Sequence, residues 1–270
     1  MSEQEYVLGT HDEEISRLGL QHRVWRPRAL DAWRRGGFTK GQTILDLGCG
    51  PGYASIDLAE IVGPEGRVIA VDRSKRFLDH LGKMQAVNKL TNITRLESDL
   101  DSANLPPGDL DGVWCRWIFA FVRQPKDLLG RICPRIRKGG SIIIHEYFNY
   151  ATWSLSPRLP EMEEFVQAVM KSWREAGGEP DIGLMLLPWL REYGFDIREI
   201  RPIIDIVSPD NFVWQWPRAF VKVNLQRQAD LGVLTGKRAD EILKAFEDRE
   251  KRPGTLMVTP AVVEIIATCG

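Results

Sequence analysis

The sequence predicts an α/β fold, a doubly wound parallel sheet with helices on both of its faces. Short apolar runs alternate with amphipathic stretches between residues 43 and 147, and this alternation is typical of parallel sheets. A glycine-rich turn, GCGPG at residues 48–52, follows the first apolar run, as expected where a doubly wound sheet binds a ligand. The 270 residues, 43% of them hydrophobic, are enough for a sizeable buried core.

The elements of this sheet follow one another in order. Residues 1–36 have apolar positions at three- and four-residue steps, which predicts a helical cap with a kink or junction at Pro27. Residues 37–270 would then form the main domain. Five strands are predicted in its first part, each followed by a helical or loop segment: TILDLG, RVIAVD, ITRLESD, LDGVWC and SIIIHEY.

The pattern changes after residue 147. An amphipathic helix is predicted around residues 162–176, and a second helix ends at Gly194, before a sixth strand, DIREIRPIIDIV. Residues 208–253 are too many for a loop in a compact domain and predict a helical insertion. TLMVTPAVVEIIAT predicts a final strand, with Pro260 at a bulge or at its start.

Composition argues against several classes of protein. The net charge of −1 provides no general basic field for nucleic acid. No apolar run approaches the roughly 20 residues of a membrane helix, and the first ten residues lack the pattern of a secretion signal. The four cysteines form no CxxC pair, so we expect a reduced, cytoplasmic protein without a metal site.

The glycine turn carries the strongest functional signal. Gly48 and Gly50 would let a ligand lie against bare backbone, and Asp72 ends the second strand, where a carboxylate can bind both hydroxyls of a ribose. The dinucleotide fingerprint G-x-G-x-x-G would need glycine or alanine at Tyr53. Asp46 would repel a pyrophosphate but attract a cationic amino group. The loop therefore suits a cofactor without phosphate.

This pattern, D-L-G-C-G-P-G, resembles the first motif of class I S-adenosylmethionine-dependent methyltransferases. The resemblance implies a Rossmann-like, seven-stranded sheet, mostly parallel with a last antiparallel strand. It places Asp46 near the amino acid end of the cofactor, Asp72 on the ribose, and Asp99 on the adenine amino group with Leu100 beside it. The N-terminal segment is similar to a Y-x-x-G motif followed by an acidic, arginine-bearing helix. The cofactor-binding residues so implied are Tyr6, Arg17, Gln21, Asp46, Gly48, Gly50, Asp72, Arg73, Asp99, Leu100 and Arg116.

Methyl transfer is an in-line displacement in which the protein mainly aligns the acceptor and excludes water. DNA and protein-glutamine methyltransferases usually carry an Asn/Asp-Pro-Pro-Tyr motif, where this chain has CRWI, and metal-dependent relatives place acids where it has Trp117. Many small-molecule enzymes carry Glu-His after the fourth strand, where this chain has Phe119-Ala120. The chain still most resembles that branch, which includes quinone-biosynthesis and natural-product methyltransferases.

Two lid insertions, at about residues 148–180 and 208–253, are expected over the sheet edge. Their aromatic residues include Trp153, Phe212, Trp214, Trp216 and Phe220. We expect an apolar acceptor pocket formed by Trp117, Tyr147, Trp153 and Trp216; plain packing of the lid is an equal alternative, and exposed lid aromatics would suit a homodimer contact.

Three residues are candidates for proton transfer. His145 and Glu146 follow the fifth strand, although capping the strand or pairing with an arginine is the favoured interpretation. His11 would reach the site if the N-terminal helix covered the cofactor.

The leading hypothesis is methyl transfer to a small apolar or aromatic molecule. A nicotinamide oxidoreductase, a non-catalytic S-adenosylmethionine-binding protein, and a methyltransferase with an RNA or protein acceptor remain as alternatives.

Overall fold

The computed structural model describes residues 12–102, 105 and 108–270. The helices are α1 Asp12–Arg35, α2 Tyr53–Val62, α3 Lys75–Val87, α4 Pro125–Ile132, α5 Pro160–Glu175, α6 Leu186–Glu192, α7 Gln215–Asp230 and α8 Gly236–Glu250. The strands are β1 Thr43–Leu47, β2 Arg67–Asp72, β3 Ile93–Glu97, β4 Leu110–Arg116, β5 Ile136–Asn149, β6 Ser154–Ser156, β7 Phe195–Ile203, β8 Ile206–Val207, β9 Leu256–Val258 and β10 Ala261–Cys269.

The main sheet has seven strands in the order β3-β2-β1-β4-β5-β10-β7. The first five strands in this order are parallel to one another. β10 is antiparallel to both of its neighbours, β5 and β7. The predicted fold class is therefore confirmed, including the last antiparallel strand. Because the strand order reverses at β1 and β4, the carboxyl ends of these two strands meet at the point where such sheets bind ligands.

Helix α1 runs through Pro27 without interruption, so a junction at this residue is wrong. Asp12, Glu13 and Glu14 lie in its first turn, where acidic side chains complement the helix dipole. Trp25 and Trp33 are buried on either side of the proline. Burial of one continuous apolar face offsets the hydrogen bond that proline removes.

The two segments expected to form lid insertions contain α5, α7 and α8. Their apolar faces, together with α1, enclose an aromatic cluster distinct from the two clusters on the faces of the sheet. Trp153, Trp214 and Trp216 are buried in this lid cluster, whereas Phe212 is 54% exposed. A homodimer contact through exposed lid aromatics would therefore depend on Phe212 and stays a prediction.

A second, three-stranded antiparallel sheet, ordered β6-β9-β8, was not expected from the sequence. It divides the predicted final strand in two, because β9 pairs in the small sheet and β10 in the main one. Pro260 lies between them and directly precedes β10, where its missing N–H costs no ladder hydrogen bond. Within the described part of the chain, no helix has the length and apolar character needed to cross a membrane.

Candidate active site

The glycine turn links β1 to α2 in the conformation that glycine favours. Gly48 has a φ angle of +68° and Gly50 one of +54°. A Cβ atom added at Gly48 would lie 2.0 Å from Cδ1 of Ile118, whereas one added at Gly50 would meet no atom of the described residues within 4 Å. The loop is thus packed on one side and open on the other, which is the geometry needed for a ligand to approach bare backbone.

The open side of this turn faces a cleft. The lining comes from α1, the glycine turn, the end of β4, β5, α5 and α7. The lining residues are Arg17, Leu18, Gln21, His22, Asp46, Gly48, Cys49, Gly50, Pro51, Tyr53, Ala54, Trp114, Arg116, Trp117, Ile118, Phe121, Tyr147, Trp173 and Phe220. Eight of the residues predicted for cofactor or acceptor therefore meet in one cleft: Arg17, Gln21, Asp46, Gly48, Gly50, Arg116, Trp117 and Tyr147.

Asp46 lies in this cleft at the base of the glycine turn. Its carboxylate accepts a hydrogen bond of 2.5 Å from the Ser55 hydroxyl. Burial raises the pKa of Asp46 to about 6, against the opposing effects of that hydrogen bond and of Arg116. Asp46 is therefore predominantly an anion at neutral pH, as a partner for an ammonium group must be.

Asp72 lies directly behind the glycine turn. Its Oδ2 atom accepts the N–H of Gly50 and its Oδ1 atom that of Ser74, both at 2.8 Å. Burial raises the pKa of Asp72, and these backbone hydrogen bonds oppose the shift. Asp72 thus also holds the turn in place, a role that the sequence did not indicate.

The remaining residues predicted to hold the ribose and adenine follow β2 and β3. Asp72, Arg73, Asp99 and Leu100 do not belong to the described lining of the cleft. The Oδ1 atom of Asp99 accepts the N–H of Asp101 at 3.0 Å. Tyr6 and His11 lie outside the described residues.

Arg17 on α1 is held within its own helix. Its guanidinium donates to both carboxylate oxygens of Glu14, at 2.7 and 2.6 Å, and to Oε1 of Gln21 at 3.1 Å. Paired charges of this kind balance one another in a buried setting. The Arg17 charge is therefore largely compensated before any ligand enters the cleft.

Arg116, at the carboxyl end of β4, lies in a different environment. Its guanidinium carbon is 5.9 Å from the ring centre of Trp114 and 5.2 Å from that of Trp117. Its Nη2 atom is 3.5 Å from Nδ1 of His22, and its buried Nη1 atom has no hydrogen-bond partner within the described part of the chain. Burial lowers the pKa of Arg116 to about 10, so it remains a cation at neutral pH. A buried donor without a partner needs an explanation, and an anionic ligand group in the cleft provides one.

His22 is not among the predicted site residues, and the structure places it in the cleft wall. Its Nε2 atom is 3.0 Å from Oδ2 of Asp57 on α2, and Nε of Arg26 donates to the same oxygen at 2.8 Å. Burial lowers the pKa of His22, opposed by the hydrogen bond to Asp57. Leu18, which also lines the cleft, precedes His22 by one helical turn, and residues four positions apart share a face of a helix.

Aromatic residues form the wall of the cleft beyond β4. Trp117 has a φ angle of +53°, a strained conformation for a bulky residue that often marks functional sites. Its ring stacks on Tyr147 at 5.4 Å with an interplanar angle of 11°. Phe121 and Trp173 complete this wall together with Phe220. Phe121 and Trp173 were not predicted, because neither lies in a recognisable motif.

Two residues predicted for the acceptor pocket are not part of the described lining. Trp153 is 2% exposed, and its Nε1 atom is 3.4 Å from the sulfur of Met257. Trp216 is 3% exposed and stacks on Trp117 at 5.5 Å. Both are buried in the lid cluster, whereas Phe220, another member of that cluster, lines the cleft.

The two candidates for proton transfer on β5 are buried in the protein interior. His145 contacts Trp114 and Trp25, and its Nε2 atom is 3.0 Å from Oε2 of Glu264. Glu146 accepts the backbone N–H groups of Tyr147 and Ala120, at 3.0 and 3.3 Å. Since a general base must reach the proton that it removes, neither residue is placed for direct proton transfer. His145 pairs with a glutamate rather than with an arginine, and Glu146 accepts backbone N–H groups, as a capping residue does.

Comparison with known proteins places the chain in a family. Residues 38–189, more than half of the chain, match the model of a methyltransferase domain family, and the chain belongs to that family. It is 27% identical over 173 residues to demethylmenaquinone methyltransferase of Lactococcus lactis, covering 64% of this chain and 63% of the relative. It is 25% identical over 128 residues to ubiquinone/menaquinone biosynthesis C-methyltransferase UbiE of Francisella tularensis subsp. novicida, covering 47% of this chain and 50% of the relative. The chain spans about half the length of the curated relatives that it matches.

Solved structures share the fold at low sequence identity. A putative methyltransferase from Bacillus halodurans superposes with a TM-score of 0.59 at 13% identity, covering 89% of this chain and 97% of that one. Coclaurine N-methyltransferase, solved with N-methylheliamine and S-adenosylhomocysteine, gives a TM-score of 0.56 at 16% identity, covering 90% and 72%. The predicted resemblance to class I S-adenosylmethionine-dependent methyltransferases is confirmed, and the nicotinamide alternative is not favoured.

Proposed function

We propose that this chain transfers the methyl group of S-adenosylmethionine to a small apolar or aromatic acceptor. One observation carries the proposal. The glycine turn with its acid Asp46 and the aromatic wall beside Trp117 line the same cleft. This arrangement provides a cofactor site and an acceptor chamber in direct continuity.

The residues present fit the cofactor at both ends of its amino acid part. Asp46 is an anion for the ammonium group, and the unpartnered Nη1 atom of Arg116 is a donor for the carboxylate group. Gly48 and Gly50 supply bare backbone between them. Asp72 remains the candidate for the ribose hydroxyls. Arg73, Asp99 and Leu100 are proposed around the ribose and adenine, with Tyr6, Arg17 and Gln21 on the N-terminal side.

When bound, S-adenosylmethionine supplies an activated methyl group on a sulfonium centre. The protein itself aligns the acceptor with this methyl group and excludes water. The apolar walls of the cleft exclude water and hold a flat acceptor. They are formed by Trp117, Tyr147, Phe121, Trp173 and Phe220.

We assign no general base to the described part of the cleft. Burial raises the pKa of Tyr147 and keeps its phenol protonated, so this hydroxyl can orient an acceptor but not deprotonate it. His22 has both ring nitrogens directed at protein groups. The acceptor should therefore be nucleophilic at neutral pH without help from the enzyme.

We further infer a cytoplasmic protein whose acceptor is a small molecule rather than nucleic acid. All four cysteines are free thiols, which suits a reducing compartment. The net charge is −1, and the chamber is walled by apolar rings.

The proposal is tested by titration calorimetry with S-adenosylmethionine, S-adenosylhomocysteine and NADH. We expect micromolar binding of the first two ligands and none of NADH. Asp72→Ala should weaken binding about 10- to 100-fold, the equivalent of one or two lost charged hydrogen bonds. Asp79→Ala is the matched control, because Asp79 lies on the exposed side of α3 and pairs with Lys75. Binding of NADH alone, or unchanged affinity in a folded Asp72→Ala protein, would contradict the proposal.

A further inference from the structure

The cleft contains a buried Asp–His pair that the proposed methyl transfer does not use. We propose that Asp57 and His22 position Arg116, through one tautomer of the imidazole ring, so that its guanidinium can bind the carboxylate group of the cofactor. This inference rests on the proposed function and adds two positioning residues to it.

The first step is to identify which ring nitrogen of His22 carries the proton. Hydrogen bonds from His22 and Arg26 hold the pKa of Asp57 below its usual value although burial opposes them, so this carboxylate only accepts hydrogen bonds. The Nε2 atom of His22, 3.0 Å from Oδ2 of Asp57, must therefore carry the proton. In a neutral ring this leaves a lone pair on Nδ1, and that atom lies 3.5 Å from Nη2 of Arg116.

The second step concerns the other groups around Arg116. Its guanidinium carbon lies 5.9 and 5.2 Å from the ring centres of Trp114 and Trp117, and Asp46 acts on it through its charge. Neither kind of contact is directional enough to fix the rotation of the guanidinium. His22 is the one polar side chain that the described residues place within hydrogen-bond distance of it. The Nη2–Nδ1 contact therefore determines where the unpartnered Nη1 atom points.

The third step concerns the other cation in the cleft. Arg17 is 6% exposed and makes a two-point ion pair with Glu14. To bind a ligand carboxylate, Arg17 would have to share or break that pair, with an uncompensated buried charge as the result. Arg116 requires no such exchange and is the better carboxylate partner.

The arrangement has a consequence for the pH dependence of binding. A proton on Nδ1 of His22 would face an N–H of Arg116 and would place two positive charges side by side. The groups around the His22 ring are Asp57, Arg26, Arg116 and the stacked ring of Tyr53, 5.9 Å away. Because burial lowers the pKa of His22 below its usual 6.5, affinity should hold at neutral pH and fall only in more acidic solution, where the ring takes up a proton. Asp46 titrates in the same range, so variants must separate the two groups.

Two near-isosteric variants separate the two nitrogens of His22. In His22→Asn, the amide oxygen can occupy the position of Nδ1 and accept from Arg116, without titrating. In His22→Gln, the longer amide can donate to Asp57 in place of Nε2, but no acceptor faces Arg116. Each variant thus keeps one half of the contact.

The experiment is calorimetric titration of wild type and both variants with S-adenosylhomocysteine at pH 8 and at pH 5. At pH 8, His22→Asn should bind within about threefold of wild type, and His22→Gln about tenfold more weakly, the equivalent of one charged hydrogen bond. Between pH 8 and pH 5, wild type should lose more affinity than His22→Asn, which retains only the contribution of Asp46. Equal affinities of the two variants at pH 8, or parallel pH profiles of wild type and His22→Asn, would overturn the inference.

A positioning role also predicts non-additivity. In an Arg116→Gln background, His22→Gln should cause no further loss of affinity, because there is no guanidinium left to orient. Additive losses would show that His22 acts independently of Arg116. Circular dichroism of each variant verifies that it is folded.

Imidazole nitrogen NMR of the ligand-free protein gives a readout that involves no binding. It should show His22 as the Nε2–H tautomer at pH 8, and the opposite tautomer would refute the positioning role. If wild type binds S-adenosylhomocysteine at neither pH while the NMR shows the expected tautomer, the proposed function fails although the Asp57–His22 geometry stands. If wild type binds with the wrong tautomer, the inference fails alone.

Discussion

Substitutions in the glycine turn should separate stability from cofactor binding. The perturbation is one added methyl group, at Gly48 or at Gly50. Both residues have positive φ angles, of +68° and +54°, so alanine at either position should cost about 1–2 kcal/mol in backbone strain. The two sites differ in what the new Cβ atom meets.

At Gly48 the new atom meets the protein core. It would lie 2.0 Å from Cδ1 and 2.7 Å from Cγ1 of Ile118, a side chain that is only 8% exposed. Forced repacking of this kind costs about 1–3 kcal/mol. Gly48→Ala should therefore lower the free energy of unfolding by about 2–5 kcal/mol in total.

At Gly50 the new atom meets no atom within 4 Å among the residues that the structure describes, and Gly50 lines the cleft. Gly50→Ala should lower the free energy of unfolding by only about 1–2 kcal/mol. Its methyl group would enter the space proposed for the cofactor, so affinity for S-adenosylhomocysteine should fall at least about tenfold, or 1.4 kcal/mol.

The assays are urea unfolding and titration calorimetry. Gly41→Ala is the control, because Gly41 has a φ angle of +82° with no atom within 4 Å of the added Cβ and does not line the cleft. It should lose about as much stability as Gly50→Ala and keep wild-type affinity. The reasoning is refuted if Gly50→Ala binds S-adenosylhomocysteine as wild type does, or if Gly48→Ala is no less stable than Gly41→Ala.

Two further predictions concern the buried residues of β5. Burial raises the pKa of Glu146 to about 8 from 4.5, so the folded state holds a proton that the unfolded chain releases, and the stabilisation present at pH 4 is lost as the pH rises towards 9. In urea unfolding, the free energy of unfolding of Glu146→Gln should fall with rising pH by up to about 4 kcal/mol less than that of wild type. Identical pH profiles of the two proteins would show that Glu146 does not cause the loss of stability. His145→Ala removes a buried ring that pairs with Glu264 and should lower the free energy of unfolding by about 2–4 kcal/mol. Its affinity for S-adenosylhomocysteine should remain within about twofold of wild type. A tenfold loss of affinity would show that His145 contributes to cofactor binding.

The part of the site that could be predicted is the part encoded in contiguous residues. Asp46, Gly48 and Gly50 lie in one short motif and line the cleft, whereas Asp72, at the end of the next strand, lies outside the described lining. Local chemistry is enough there, because the turn conformation, the bare backbone and the adjacent acid are properties of neighbouring residues. The structure adds that Asp72 also accepts the N–H of Gly50.

The part that could not be predicted depends on which side of an element faces the cleft. His22 and Asp57 are 35 positions apart in sequence, and nothing in either helix shows that α1 packs against α2. For the same reason, Trp153 and Trp216 could not be distinguished from Trp173. All are tryptophans in the lid segments, yet only the last lines the cleft.

The sequence by itself therefore determined the parallel sheet, the glycine turn and the class of cofactor. Periodicity and turn chemistry are local signals, and in this chain they agree from β1 to β5. The tertiary structure alone decided the small antiparallel sheet, the burial of His145 and Glu146, and the meeting of Arg116 with His22. These features arise when distant apolar faces are buried together, and the free energy of that burial depends on the complete packing arrangement rather than on any one segment.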